Sequence, residues 1–334
     1  MKKTHNKRIF GIIFVLVIVA LIIGGIITIV ALQNKQKEVV TVRYAAPLTI
    51  AAAPLYVADT KGFWADAGIN VKVSYFSSGK DALNALLAND AEVMSVSETP
   101  PLRAYLSGAK ISIIGTMTEH QEAKLSVRTD RISKPSDLKG KKIGTVTGTN
   151  SDYYMYRWLE ANNIKTSDVQ IVPLSAGALA QAFVQGDIDA MFAWEPYNYN
   201  AVSKIPNLAT SWPTTIYHGR TTIVMNDSYL NAHTQTAEQV LKGIQKAETY
   251  IMNNPADAKK IVMARTQMTS GALDALWGEY VYKLELDNGL TNILNDEASW
   301  IAASQTGLST TSTKQLINPI PLLNVNKMSV GGNY

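Results

Sequence analysis

Hydroxyl and amide groups recur in this chain where an apolar, strand-like stretch gives way to a helix-like one. Thr147, Gly148, Thr149, Asn150 and Ser151 fill one such junction, ahead of an amphipathic stretch that carries Met155, Trp158 and Leu159 on one face. Ser77, Ser78 and Gly79 stand at a second junction, and Ser97, Glu98 and Thr99 at a third. A helix start presents free backbone N–H groups and the positive end of the helix dipole, so small hydroxyl residues there make a pocket for a small anionic or polar ligand. Taken singly, each junction is an ordinary cap or turn. Their repetition favours a shared ligand site.

Trp194 and Glu195 follow an apolar stretch at 190–193. The indole can pack over an apolar or aromatic part of a ligand, or belong to the core. Glu195 would pair with a cationic or N–H-rich ligand and repel a bare anion unless a cation neutralised it. Arg220 can supply that cation, clamp an anion through two N–H groups, or be a solvated residue ahead of a strand. Asp187 and Asp189 read as turn and capping residues. The four histidines, at 5, 120, 218 and 233, lack metal-ligand spacing, and His120 is expected at a hinge or on the surface. No catalytic residue, metal site or cofactor is expected: a G-x-S-x-G elbow, a Walker loop, H-E-x-x-H and a dinucleotide G-x-G-x-x-G are all missing.

Strands are expected at 39–44, 71–76, 93–96 and 111–116, with helix-like stretches between them, including 54–61 and 101–106. A second series starts at 125–128 and continues with strands at 143–146, 169–172 and 190–193 and helices at 152–161 and 178–185. Residues 221–225 read as a return strand, and 237–252, 255–265, 271–284 and 296–303 as helices. Alternation of this kind implies parallel pairing in α/β sheets, with ligands beyond the carboxyl ends of the strands. Four parts are expected: a basic N-terminus, membrane anchor and spacer at 1–38, a first lobe at 39–120, a second at 121–220, and a return to the first with a helical tail at 221–334.

The anchor rests on residues 9–32, an apolar run of 24 residues broken only by glycines and Thr28. A bilayer needs about 20 such residues, whereas the apolar core of a cleavable signal is roughly 7–15. Lys2, Lys3, Lys7 and Arg8 precede it, which places the N-terminus in the cytoplasm and the body outside. The expected location is the cell membrane, as a single-pass protein. Residues 1–40 hold 6 of the 31 Lys and Arg and 1 of the 27 Asp and Glu, so the remainder has 25 basic against 26 acidic residues, a net of −1. The formal +4 therefore reflects topology, and no nucleic-acid partner is indicated. Cysteine is absent, which excludes disulfides, thiolate metal sites and a lipid anchor on cysteine.

A resemblance adds to this reading. The stretches APLYVADTKGFW at 53–64, AGIN at 67–70, DLKGKKIG at 137–144, QGDIDA at 185–190, WEPY at 194–197 and NP at 254–255 are together similar to extracytoplasmic binding proteins of nitrate, sulfonate and taurine importers. That superfamily includes receptors for thiamine-related pyrimidines. The resemblance implies a two-lobed type II periplasmic-binding-protein fold and a monomeric, non-enzymatic receptor that hands a small-molecule ligand to an ABC permease with its ATPase. A pyrimidine receptor and a ligand-sensing domain for a separate signalling partner are the alternatives; a pyrimidine synthase is disfavoured by the missing cysteines.

Overall fold

In the computed structural model, which describes residues 39–212, 216–304 and 312–332, the strands divide between two sheets. The chain passes through β1 (Val40–Pro47), α1 (Ala53–Lys61), α2 (Phe63–Asp66), β2 (Ile69–Phe76), α3 (Gly79–Leu87), β3 (Val93–Ser97), α4 (Thr99–Leu106) and β4 (Ile111–His120). It continues through β5 (Lys124–Arg128), β6 (Lys142–Thr145), α5 (Asn150–Ala161), β7 (Gln170–Pro173), α6 (Ala176–Gln185), β8 (Ala190–Ala193), α7 (Tyr197–Lys204) and β9 (Ala209–Trp212). The last part comprises β10 (Gly219–Asn226), α8 (Asp227–Ala232), α9 (Thr234–Asn253), α10 (Pro255–Thr266), α11 (Ser270–Leu276), β11 (Tyr280–Glu285), α12 (Asn288–Ser304) and α13 (Ile320–Val325).

The larger sheet has the order β11-β4-β10-β3-β1-β2 and the smaller β7-β6-β8-β5-β9. In the larger sheet β1 pairs in parallel with β2 and β3, while β10 runs antiparallel between β3 and β4. In the smaller sheet β6 is parallel to β7 and β8, and β5 antiparallel to β8 and β9. Parallel pairing thus holds for the strand–helix–strand units. The antiparallel strands are those by which the chain enters and leaves each sheet: β5 opens the smaller one, and β10 brings the chain back to the larger. Only residues 121–123 separate β4 from β5.

The helix expected at 271–284 forms only in its first part, as α11 (Ser270–Leu276). Residues 280–285 are strand β11, whose residues alternate buried and exposed. Tyr280, Tyr282 and Leu284 face inward while Val281 and Lys283 face outward, the period-2 pattern of a sheet with one covered face, and β11 pairs with β4. Strand β9 and helix α7 were not anticipated; each is short, and neither carries a strong period. The expected span at 9–32 lies outside the described residues. Among the described residues no helix is long and apolar enough to cross a membrane.

Packing follows the periodic residues. In α9, Ala237, Val240, Leu241, Ile244, Ala247 and Ile251 repeat at helical spacing and are buried with α1 and the larger sheet. Trp64, from α2, is 3% exposed and donates its indole N–H to the Val240 carbonyl at 3.1 Å. A Cβ at Gly243 would lie 2.1 Å from the Trp64 ring, so only glycine lets α9 approach this closely. The smaller sheet has apolar clusters of its own, one around Tyr154, Trp158 and Phe192 and another around Leu179, Phe183 and Met191. Trp64→Ala should therefore lower stability by about 3–5 kcal/mol, read as a reduced urea midpoint, because it removes both a large buried ring and a buried hydrogen bond. A loss below 1 kcal/mol would show that α9 does not depend on this contact.

Candidate functional site

Carboxyl ends of strands from both sheets converge on one cleft. It is lined by Pro47, Thr49, Ala52, Gly79, Ser95, Val96, Ser97, Pro100, Glu122, Thr149, Asn150, Trp194 and Thr221. Its walls enclose about 430 Å³ counted to the open mouth, but the centre of a water molecule can occupy only about 30 Å³ of that space. The walls therefore stand close together. A hydrogen bond crosses between the two parts near this region, from the Tyr197 hydroxyl to the Ser77 carbonyl at 3.3 Å.

Five of the residues singled out from sequence meet in this cleft: Gly79, Ser97, Thr149, Asn150 and Trp194. Gly79 and Asn150 are the first residues of α3 and α5, whose leading N–H groups have no acceptor within their own helix. Gly79 can stand there because it lacks a side chain: a Cβ would meet Val96 Cγ2 at 2.0 Å. Ser97 is paired directly with Thr221 across β3 and β10, and both line the cleft. Trp194 is 5% exposed, and its indole N–H has no hydrogen-bond partner among the described residues.

The remaining candidates are used elsewhere. Ser77 and Ser78 donate to Asp81 Oδ2 at 2.8 and 2.7 Å, and Ser78 accepts from the Asp81 amide as the cap of α3. With Thr147 they border a neighbouring recess rather than the cleft. Ser151 is buried against Thr145, oxygen to oxygen at 3.0 Å. Thr149, although in the cleft, donates its hydroxyl to the Val146 carbonyl at 2.6 Å. Thr99 donates to Glu297 of α12 at 2.7 Å.

The charged candidates are paired within the protein. Glu195 Oε1 lies 3.1 Å from Lys124 Nζ, and Oε2 accepts the Tyr199 amide at 2.9 Å. Lys124 also reaches Glu279 Oε1 at 2.7 Å. Burial pushes Glu195 above the ordinary carboxylate range despite the lysine. Burial works against the Lys124 ammonium, but Glu195 and Glu279 outweigh it and hold the lysine above its usual value. Arg220 lies within β10, with Nη2 3.0 Å from Glu119 and 3.6 Å from Asp287. Its amide donates to Glu98 at 2.8 Å. Glu98 is fully buried, accepts the Tyr217 hydroxyl and is hydrogen-bonded to Glu297; burial raises both carboxyls, Glu297 well above its ordinary value. Two carboxylates this close in a dry site disfavour each other's ionisation, which adds to the effect of burial.

His120 is not on the surface: it is 1% exposed at the end of β4, next to residues 121–123 by which the chain passes to the smaller sheet, and burial lowers it to about 3, so it is neutral. Asp189 accepts the Lys142 amide at 2.9 Å and pairs with Arg131, as a turn residue does. No cluster of three His, Asp or Glu among the described residues could hold a metal ion.

Glu122 was missed. It is 4% exposed, lines the cleft, and accepts the Tyr280 hydroxyl at 3.0 Å. Burial first, then Glu195, Glu279 and Glu98, push it up to about 8. Nothing local marks it in sequence, because its partners come from β8, β11 and β3. A carboxyl raised in the fold holds its proton where the unfolded chain has lost it, so its contribution is full below the ordinary carboxylate value near 4.3 and is lost as pH rises to about 8. Glu122→Gln should remove one proton's worth of that slope, about 1.4 kcal/mol per pH unit, from stability measured between pH 5 and 8. Parallel curves for the two proteins would show that Glu122 is already ionised.

Three comparisons bear on this site. The sequence model of the family described as NMT1/THI5 like matches residues 49–258. The taurine-binding periplasmic protein of Escherichia coli K12 is 26% identical over 226 residues, covering 66% of this chain and 69% of that protein. The alkanesulfonate-binding protein SsuA from Xanthomonas axonopodis pv. citri, solved bound to MOPS, superposes with a TM-score of 0.73 at 17% identity, covering 83% of this chain and 98% of that one. The desulfurization enzyme DszB superposes at 0.63 with 15% identity, covering 86% and 99%. The last two likenesses show the fold: the two-sheet α/β arrangement of periplasmic binding proteins, with a helical C-terminal region.

Proposed function

The chain belongs to the NMT1/THI5-like family, and from that premise we propose that it is a solute-binding receptor of an ABC importer. It captures a small sulfonate, taurine-like, nitrate-like or related polar organic ligand and delivers it to a permease with its ATPase. The observation that carries this reading is the cleft itself. Two helix starts, paired hydroxyls and an unpartnered indole N–H offer hydrogen-bond donors to one small volume, while none of the described residues lining it is a cysteine, histidine or lysine. Such a lining binds a polar ligand and has little to transform it with. The relative named for taurine supports the substrate class.

In this proposal residues 39–120 and 221–334 form one lobe and 121–220 the other. They close on the ligand by a shift between open and closed populations, driven by the ligand's better fit to the closed state. The body works outside the cytoplasm, tethered by the span at 9–32. A thiamine-precursor pyrimidine is the second reading, favoured by the juxtaposition of an aromatic ring, Trp194, with a carboxyl that holds its proton, Glu122. A flat heterocycle with alternating donors and acceptors suits that pair.

A thermal-shift screen of taurine, alkanesulfonates, nitrate and thiamine-precursor pyrimidines tests the class. The true ligand should stabilise by about 2.7 kcal/mol at a hundredfold excess over its Kd and keep raising the melting temperature as its concentration grows. Silence from all four groups would reject it. Gly79→Ala provides a check on the site: crowding Val96 displaces the start of α3, and affinity for the ligand found should fall by about tenfold, the worth of one to two hydrogen bonds. Unchanged affinity would remove the α3 start from the site.

A further inference from the structure

Helix α12 belongs to neither sheet alone. Leu290, Leu294, Ala298 and Ile301 are buried with the larger sheet, whereas Ile293 and Trp300 pack against the cores of both. Its polar side chains divide in the same way. Glu297 accepts the Thr99 hydroxyl of α4 at 2.7 Å. Asp296, one position earlier, accepts the Tyr153 hydroxyl of α5 at 2.5 Å and lies 3.5 Å from Arg157. Adjacent positions on a helix point about 100° apart, so a single turn of α12 grips α4 with one side chain and α5 with the next.

The grip on the α4 side is made by two acids. Glu98 and Glu297 are both fully buried and are hydrogen-bonded to one another. Glu98 has a donor for each oxygen, the Tyr217 hydroxyl on Oε1 and the Arg220 amide on Oε2. Glu297 has Thr99 on Oε1, but its Oε2 meets no donor among the described residues. A buried carboxylate oxygen without a donor is costly, whereas a protonated one becomes a donor itself. The charges around the pair do little to offset a second ionisation. Arg103 of α4 favours an ionised Glu297, yet it also faces Asp152 of α5 at 3.6 Å. The Arg220 guanidinium of β10 is turned to Glu119 and Asp287, at 3.0 and 3.6 Å. Tyr153 and Tyr217 stand beside Glu297 as phenols that burial keeps neutral, and Glu122, after β4, sets a further carboxyl near Glu98.

We propose that α12 is a proton-held clasp between the two sheets: protonated Glu297 donates to Glu98, and loss of that proton sets two carboxylates against each other and loosens α12 from α4. The clasp makes no use of a ligand, so it can fail without the receptor reading failing. Its sign follows from the acid. Burial first, then Glu98, raises Glu297 in the fold, so its contribution is full below the ordinary carboxylate value of about 4.3. That contribution is lost progressively as pH climbs to the raised value. Acid therefore holds the clasp shut and alkali weakens it.

Hydrogen exchange of the α12 amides, followed by mass spectrometry between about pH 5 and pH 9 and corrected for the intrinsic pH dependence of exchange, tests the clasp. Protection across 288–304 should fall about tenfold per pH unit from the acid end and level off once the pair has lost its proton. The amides of α9, buried with α1 and the larger sheet, should keep their protection over the same range. Glu297→Gln, whose amide can donate to Glu98 and cannot ionise, should hold α12 protection level throughout. Glu98→Gln leaves one acceptor oxygen for the Tyr217 and Arg220 donors and should lower α12 protection at every pH. If α12 protection in the unaltered chain does not change with pH, the inference falls whether or not the variants fold. An equal fall in Glu297→Gln would also overturn it, because another group would then be responsible.

Discussion

The ammonium of Lys124 is the charge on which the base of the cleft depends. It joins Glu195, at the end of β8 in the smaller sheet, to Glu279, just before β11 of the larger one. Glu195, whose side chain is 2% exposed, would be costly there without it, since removing one partner of a buried pair leaves several kcal/mol of uncompensated charge. The same ion pairs also engage a cation that stands near the cleft floor. What remains for a ligand among the described residues is a set of neutral donors and one carboxyl, Glu122, whose proton is kept in place by burial first and then by the acids around it.

Neutral donors in a dry cleft have a physical advantage over a lysine or arginine. A helix-start N–H already points outward and needs no side-chain ordering, and it binds oxygen without the desolvation of a full charge. Several hydroxyls in the same region serve a different end. Ser78, Thr149 and Ser151 satisfy backbone groups and each other, so that the turn before each helix is held in one shape. Their contribution to a ligand is indirect: they fix where the free N–H groups of Gly79 and Asn150 sit.

Much of the fold was legible because its core elements follow simple periods. The parallel units β1–α1–β2 and β6–α5–β7 appear as apolar stretches separated by capped helices, and the two series and the return at β10 were readable in order. Residues 271–284 misled because good helix formers at 272–276 run directly into an alternating Tyr-Val-Tyr-Lys-Leu stretch, and the strand exists only through its pairing with β4. Helix starts in the site were legible for the same local reason as the fold. The charged residues were not: Glu195, Arg220 and Glu98 are conspicuous in sequence, yet their partners Lys124, Glu119 and Tyr217 lie 71, 101 and 119 positions away. Glu122 was invisible because its character is set wholly by distant neighbours.

One helix links the parts without belonging to the cleft. Trp300 of α12 lies under the Arg103 guanidinium of α4 at 4.6 Å and beside Tyr153 and Tyr156 of α5, with ring centres 5.3 and 5.8 Å apart. Asp296, one turn earlier, accepts the Tyr153 hydroxyl at 2.5 Å. An indole held between a cation from one side and phenols from the other has emission that depends on how closely both approach. Any motion that separates α4 from α5 must change that emission. The chain thus carries a native fluorophore at the seam between its two sheets, and any change in the spacing of α4 and α5 would have an optical signature with no label added.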